Sequence, residues 1–539
     1  MMTISILLKL YHADFSTYVT SDAMSYSLNA FSFVNGDFTP IFNKTSGWPL
    51  VIHPFFHLVE SDDFVVYSNV VRILTISIST ATIIPIYFLS KKWFPEKYAL
   101  VACSFFAFEP HLNRLAAIGY SESFYILIIV ISFYLINSNR YRNIFLAFIF
   151  AAIAWWARWP GAIMFIVLSI IYFINFEKTK KNFFRYFVCV AIFLILVSPM
   201  LIERYNEFGD PLYFGTTTGV YSGDYAAAQG NMVNKIDEYT ATDYIEENGL
   251  YEFSIQFIFV GMLNIVTVLA KNSFPYLVIL APIGAILSFR AFGIDKKLIR
   301  SNWILIIVTL VPIITTYAVI PDIRFLYPLI PFLILFGTIP VQRFIENGME
   351  KFSLSTKQKN IIIVMIILVV LVSSIIYMQR YEITDKIEYE EKNEFARYAL
   401  DNFEGRMLDA GGTTQGIRFL KLNEPNEAFK TYHNSNHKYP KDNILEEGYL
   451  VPLQSSDDLI LIAIYAKTYE EFIAISKEYN LNYISIGEKK MAEVIYPYLK
   501  DLYSNESAYI ELEKVFDSND MGYKKFKVKV FKINFENDE

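Results

Sequence analysis

Asp22 and Glu122 stand in short polar stretches of a chain that is otherwise mostly apolar. The first stretch reads Ser21-Asp22-Ala23-Met24-Ser25-Tyr26-Ser27-Leu28-Asn29-Ala30, with Gly36 and Asp37 just beyond it; the second reads Gly119-Tyr120-Ser121-Glu122. A carboxylate at the mouth of a helix bundle can draw a proton from an attacking hydroxyl or hold a divalent ion. Two arginines complement this pair. Arg158 lies in Trp155-Trp156-Ala157-Arg158-Trp159-Pro160, and Arg324 in Pro321-Asp322-Ile323-Arg324-Phe325-Leu326-Tyr327-Pro328-Leu329-Ile330-Pro331. A guanidinium presents a planar fork of donors that matches phosphate oxygens. Each residue also has a plainer role open to it. Asp22 fits a solvated loop or a helix cap, Arg324 a salt bridge to Asp322, and Arg158 a snorkelling side chain among its tryptophans.

The elements that must position these groups are membrane helices. The 539 residues are 54% hydrophobic and 19% charged, with a mean hydropathy of +0.32, and many apolar runs approach the length of a span. The net charge of -7 gives no reason to expect a nucleic-acid partner. Cys103 and Cys189 both lie inside apolar runs and read as small buried residues. The opening MMTISILLKLYHA lacks a basic n-region and a small-residue cleavage site, so no cleavable signal peptide is expected. Residues 3–13 are too short to cross a bilayer unaided and read as a shortened first helix, or as the tail of one that starts upstream. Spans are then expected at 72–89, 98–113, 123–137, 144–158, 160–176, 186–202, 274–289, 302–320, 325–341 and 360–379, which makes about 11 with the first.

Every second loop is basic: Lys91, Lys92 and Lys97; Arg140 and Arg142; Lys178, Lys180, Lys181 and Arg185; Arg290, Lys296, Lys297 and Arg300; Arg343, Lys351, Lys357 and Lys359. The positive-inside bias assigns these to the cytoplasm. Asp22, Glu122, Arg158 and Arg324 then share the external face with loops 14–71 and 203–273 and with everything after residue 380. Residues 253–270 are apolar enough to cross, but a crossing would expose two basic loops. A helix along the outer interface, or one that re-enters without crossing, keeps the bias intact. From 381 to 539 charged residues become frequent and short elements alternate. Strands are expected at 406–409, 458–464, 481–486, near 511–516 and near 524–533, with helices at 467–478 and near 490–503. That order suggests a small external α/β domain after a membrane domain of residues 1–380.

These residues resemble the polytopic GT-C glycosyltransferases. Asp22-x-x-x-Tyr26-x-x-x-Ala30 followed by Gly36 is similar to their first external loop. Ser121-Glu122-Ser123-Phe124-Tyr125 is similar to their second acidic motif, and Arg324-Phe325-x-x-Pro328-x-x-Pro331 to their late Arg-aromatic signature. The branch most resembled is the protein O-mannosyltransferase-like group, over roughly residues 1–380. The Trp-Trp-Asp-Tyr-Gly acceptor motif of oligosaccharyltransferases is absent, which argues against transfer of a whole glycan to Asn.

The resemblance implies a GT-C-like helical bundle in the cell membrane that moves one sugar, with inversion, from a polyprenyl-phosphate donor to a protein or lipid/glycan acceptor outside the cytoplasm. It implies Asp22 as base, Glu122 as donor-orienting group, and Arg324 with Arg158 on the donor phosphate. Tyr26, Asp37 and Asp210 are lesser candidates. If Mg²⁺ or Mn²⁺ takes part, Asp22 and Glu122 are its expected ligands. The competing class is a non-enzymatic polytopic protein, either a lipid-linked-sugar carrier or an anchor for the external domain. The absence of an internal repeat weakens the carrier. Other motifs have plainer readings. His53-x-x-x-His57 has the spacing of a zinc pair but no third ligand nearby, and Asp409-Ala-Gly-Gly-Thr-Thr-Gln-Gly416 reads as a strand-to-helix turn. Loop 203–252, with nine Asp and Glu up to residue 251, reads as a solvated lid. The sequons at Asn43 and Asn505 both fall on the expected outer side.

Overall fold

Apolar runs of bilayer length fold as helices because a helix satisfies its backbone N–H and C=O groups within one segment. The computed structural model describes residues 1–34, 36–40, 44–59, 61–138, 140–213, 220–222, 240–272, 275–290, 293–349, 352–379, 386–422, 450–455, 459–464, 466, 468–488 and 496–535. The helical part opens with α1 (Met2–His12), α2 (Ser21–Val34), α3 (Gly47–Phe56), α4 (Phe64–Ala81), α5 (Ile83–Trp93) and α6 (Glu96–Ala107). It continues with α7 (Pro110–Ile118), α8 (Glu122–Ile136), α9 (Tyr141–Ala157), α10 (Ala162–Asn175) and α11 (Lys180–Phe208). After these come α12 (Ala241–Phe253), α13 (Val260–Asn272), α14 (Pro275–Ser288), α15 (Lys296–Val319), α16 (Ile330–Arg343) and α17 (Thr356–Met378).

Among the described residues, six stretches are long and apolar enough to cross a membrane: Phe64–Trp93, Lys180–Phe208, Ala241–Ala270, Lys296–Val319, Ile323–Gly348 and Thr356–Met378. Shorter apolar helices cover Glu122–Ile136, Tyr141–Ala157, Trp159–Asn175 and Leu277–Ser288. The chain is thus the polytopic helical membrane protein that its sequence describes.

Two local features differ from the sequence expectation. Asp22 lies on helix α2 rather than in a loop. The run 98–113 is two helices, because Pro110 starts α7 and the Glu109 carboxylate caps it by accepting the Leu112 N–H at 2.7 Å. Residues 241–272 are helical almost throughout, joined by a π-helical turn at Ser254–Phe259. Gly261 packs on the Ile314 backbone, in the half of α15 nearest Asp322. At the far end of α14, the Trp303 indole donates to Ser288 at 3.0 Å, and Gly284 packs on Phe336 of α16. α13 and α14 therefore follow one another along the depth of α15, and together they traverse it once.

The C-terminal part contains α18 (Lys386–Asn402), β1 (Gly405–Ala410), α19 (Thr414–Leu422), β2 (Leu450–Ser455), β3 (Leu459–Ile464), α20 (Tyr469–Glu478), β4 (Leu481–Gly487), β5 (Leu512–Asp517) and β6 (Val528–Ile533). The six strands form one sheet in the order β2-β3-β1-β4-β6-β5. β1 runs parallel to β3 and β4, and the other pairings are antiparallel. The strand absent from the sequence expectation is β2, which carries Pro452 and lies at the sheet edge, where a missing N–H does no harm. The helix expected near 490–503 is, in its described part, a 3-10 turn at Pro497–Leu499.

Candidate functional site

Asp22 is placed by a hydrophobic face that its polar neighbours conceal. Ala23, Met24, Leu28 and Phe31 of α2 are buried against Trp48, Ile52, Phe56, Phe64, Tyr67 and Val71 of α3 and α4. The serines that argue against a helix are accommodated in it: the Ser27 hydroxyl donates to the Ala23 carbonyl at 2.8 Å. Burial of this face overrides the weak helix propensity of Ser, Asp and Asn. Asp22 sits in the first turn, where the helix dipole favours an anion.

Three other elements converge on that turn. The Asp22 carboxylate, 36% exposed, accepts from Lys44 Nζ at 2.6 Å on one oxygen and from Arg324 at 2.9 Å on the other. Arg324 is oriented by Asp322, whose carboxylate accepts both the Arg324 backbone N–H (2.9 Å) and its Nε (2.7 Å). Its guanidinium lies over the Tyr120 ring, 5.4 Å from the centroid. Glu122, 2% exposed, pairs with Arg158 at 2.7 Å, and Arg158 also donates to Ser121 at 3.1 Å. This second pair follows from an antiparallel hairpin, since Glu122 opens α8 and Arg158 follows α9 at similar distances from the turn between them. The αL glycine Gly119 (φ +89°) turns the chain from α7 into Tyr120-Ser121-Glu122.

Lys44 was not singled out for chemistry in the sequence, yet it is the closest cation to Asp22. It is held by its neighbours: the Thr45 hydroxyl donates to the Ala157 carbonyl at 3.0 Å, and Arg204 donates to the Lys44 carbonyl at 3.3 Å. Arg204 is 1% exposed, also donates from Nε to the Tyr213 carbonyl at 2.8 Å, and stacks over Trp159 and Phe208. Gly47 lets α3 dock on the end of α9: a Cβ there would lie 2.3 Å from the Trp156 carbonyl oxygen. Gly47→Ala therefore separates Lys44 from Arg158 and costs about 1–3 kcal/mol as overpacking. A lowered melting temperature in detergent checks it.

Burial alone raises the Asp22 pKa, but the attraction of Lys44, reinforced by Arg324 and Arg158, outweighs it and holds the carboxyl well below the usual carboxylate range. Asp22 therefore contributes stability above its unfolded value of about 4, and that contribution is lost only as pH falls through the lower folded value. Thermal unfolding followed against pH accordingly shows no loss from Asp22 above about pH 4. A loss near about pH 5–6 that is absent in Asp22→Asn contradicts this assignment.

The donor set does not suit a divalent ion. Both Asp22 oxygens face cations and Glu122 faces Arg158, and among the described residues no three of His, Cys, Asp and Glu gather as ligands. Asp22 and Glu122 are thus matched to cationic side chains rather than to Mg²⁺ or Mn²⁺.

The lesser candidates are placed differently. Tyr26 is buried with its ring 5.2 Å from Lys44 Nζ, so it joins the cluster. Asp37 accepts from the Thr39 N–H and hydroxyl in the turn after α2, and Asp210 accepts from the Leu212 N–H after α11, so each serves its own turn. His53 bonds the Leu50 carbonyl, and His57 is a ring neighbour of it. Asp409 accepts from the N–H groups of Thr413 and Thr414, which fills the place a phosphate would take at α19. Asn43, Asp224, Asp237 and Glu238 lie outside the described residues. Glu109 and His111, which no sequence motif marks, are both buried and 2.9 Å apart. They line an apolar cavity of about 340 Å³ with Ile323, Leu326, Tyr327 and Leu333, directly beside Arg324 in the chain.

Residues 49–202, which hold Glu122 and Arg158, match the family described as dolichyl-phosphate-mannose-protein mannosyltransferase. No curated protein matches the chain in sequence. Among solved structures, the apo oligosaccharyltransferase of Archaeoglobus fulgidus has a TM-score of 0.56 at 12% identity, covering 100% of this chain and 74% of that one. The archaeal oligosaccharyltransferase AglB of Archaeoglobus fulgidus in complex with an inhibitory peptide and a dolichol-phosphate gives 0.54 at 10% identity, with coverage of 100% and 74%. ArnT from Cupriavidus metallidurans bound to undecaprenyl phosphate gives 0.53 at 8% identity, covering 99% of this chain and 97% of that one. At these identities the likeness is one of fold. The resemblance to polytopic GT-C glycosyltransferases is borne out by family match and fold together.

Proposed function

We propose that this chain is an integral-membrane glycosyltransferase that moves a single sugar from a polyprenyl-phosphate donor to a hydroxyl of a protein or glycan acceptor. The observation that carries the reading is the Asp22 carboxylate held between two cations, Lys44 and Arg324, which come from different elements. A carboxylate alone is a base, and two cations alone are a phosphate clamp. Together at one bundle mouth they supply both halves of a glycosyl displacement.

In this reading the donor phosphate displaces the Asp22 carboxylate from Lys44 and Arg324 and takes their charge-assisted hydrogen bonds. Freed from them, Asp22 rises toward an ordinary carboxylate and becomes a competent base. The acceptor oxygen bonds to the anomeric carbon as the bond from that carbon to the phosphate oxygen breaks. The electron pair stays on the phosphate, and the hydroxyl proton passes to Asp22. The leaving polyprenyl phosphate has a second pKa of about 6, so it departs without a dedicated acid. One displacement inverts the anomeric configuration. Arg158 and Glu122 hold each other at the rim and orient the sugar, and the cavity beside Arg324 takes the first prenyl units. By the basic loops the site faces away from the cytoplasm of a cell membrane, with residues 1–380 carrying the chemistry and 381–539 outside. The solved relatives support the donor class, since one is bound to undecaprenyl phosphate and another to a dolichol-phosphate.

Thermal unfolding of the full chain with polyprenyl phosphate, and with the matching polyprenol, tests the donor assignment. At about a hundredfold excess over Kd the phosphate stabilises by about 2.7 kcal/mol, and the alcohol has little effect. Equal effects of the two lipids contradict the phosphate clamp.

A further inference from the structure

The segment Thr17–Thr20 leads straight into Asp22 and is held from two sides. From the bundle, Arg72 of α4 (4% exposed) donates to the Thr17 carbonyl at 2.7 Å, and the Val19 N–H donates to Ser68 at 3.1 Å. From the C-terminal α/β part, Phe419 of α19 stacks on the Tyr18 ring at 4.4 Å, and Tyr389 of α18 tilts against it at 4.9 Å. The Tyr18 hydroxyl donates to Asn393 of α18 at 3.1 Å. Tyr18 itself is buried, so the contact is a seated plug rather than a surface touch. Between this plug and the helix stands Ser21 at φ +51°, a left-handed backbone that costs a non-glycine residue about 1–2 kcal/mol. Such a conformation persists where the surroundings over-determine it.

We propose that Tyr18 is a positioning residue: docked into α18 and α19, it lets the C-terminal part set the start of α2 and hence the place of Asp22. The inference rests on the reading of Asp22 given above. It assigns the external part a share in the chemistry through contacts that reach no reacting atom. Lys44 and Arg324 have supports of their own, in Thr45, Arg204 and Asp322. Loosening the Tyr18 plug therefore acts on the base more than on the phosphate clamp.

The test uses the full chain in four versions beside wild type: Tyr18→Ala, Tyr18→Phe, Phe419→Ala and Asp22→Asn. Sugar transfer and binding of polyprenyl phosphate are measured on each folded protein. Tyr18→Ala and Phe419→Ala are expected to lower kcat by about ten- to a hundredfold, the scale of a misplacement near 1 Å, with Kd for polyprenyl phosphate within about twofold. Tyr18→Phe, which keeps both ring contacts, restores nearly all of the turnover. Wild-type kcat in both alanine variants, or equal losses of kcat and binding, overturns the inference. The Asp22→Asn control separates this from failure of the underlying reading. Full turnover there removes Asp22 and the inference together, whereas an inactive Asp22→Asn beside a fully active Tyr18→Ala removes the inference alone.

Discussion

Asp22→Asn is expected to lower kcat by about two to four orders of magnitude, the usual worth of a positioned general base, without weakening the hold on polyprenyl phosphate. The asparagine keeps the shape and the helix position of Asp22 but accepts no proton at neutral pH. Lys44 and Arg324, which now share the carboxylate at 2.6 and 2.9 Å, lose their competing anion. They are then free for the donor, and Kd for polyprenyl phosphate is expected to stay level or fall. Loss of turnover with unchanged or tighter lipid binding is not what general destabilisation produces. Single-turnover transfer and equilibrium binding on one preparation measure both quantities. A variant that transfers sugar at the wild-type rate places the base elsewhere.

The second large effect is on the clamp. Lys44→Met and Arg324→Met each remove one charge that faces the departing phosphate, and each is expected to lower kcat/KM by about a hundred- to a thousandfold. The Arg324 variant also leaves Asp322 without its guanidinium partner. Arg324→Lys recovers only part of the loss, because a point charge cannot reproduce the fork that reaches Asp322 and Asp22 at once. Lys44→Arg recovers more, since the Lys44 site presents a single contact at 2.6 Å. Paired measurements of kcat/KM and of polyprenyl phosphate affinity read these effects. A Lys44→Met protein with wild-type values of both shows that Lys44 only neutralises Asp22.

The legible part of the site lay where local sequence and loop counting agree. Arg324 announced itself in a Pro-bounded aromatic stretch, and Glu122 and Arg158 stood at similar distances on either side of one hairpin turn, so their pairing at 2.7 Å follows from two helices of similar length. Lys44 was hidden. It reads as the middle of a surface sequon, and the contacts that bury it come from Ala157 and Arg204, 112 and 160 residues away from their partners. Asp37 and Asp210 were of the right type and on the expected face, but each carboxylate accepts a backbone N–H two residues on, a bond that no residue count reveals. In the fold, α2 was concealed by its serines; what makes it a helix is the burial of Ala23, Met24, Leu28 and Phe31 against α3 and α4. The break at Glu109 could have been read from Glu-Pro inside an apolar run, a capping residue followed by a residue that favours the first helical position.

The most direct test of the central claim is transfer itself. Wild-type protein in proteoliposomes is supplied with labelled polyprenyl-phosphate sugars and a mixture of protein and glycan acceptors, and both products are followed. A glycosyltransferase yields equal amounts of labelled acceptor and free polyprenyl phosphate, with the anomeric configuration inverted. Donor that crosses the bilayer intact, with no polyprenyl phosphate released in any acceptor mixture, contradicts it and makes the chain a carrier.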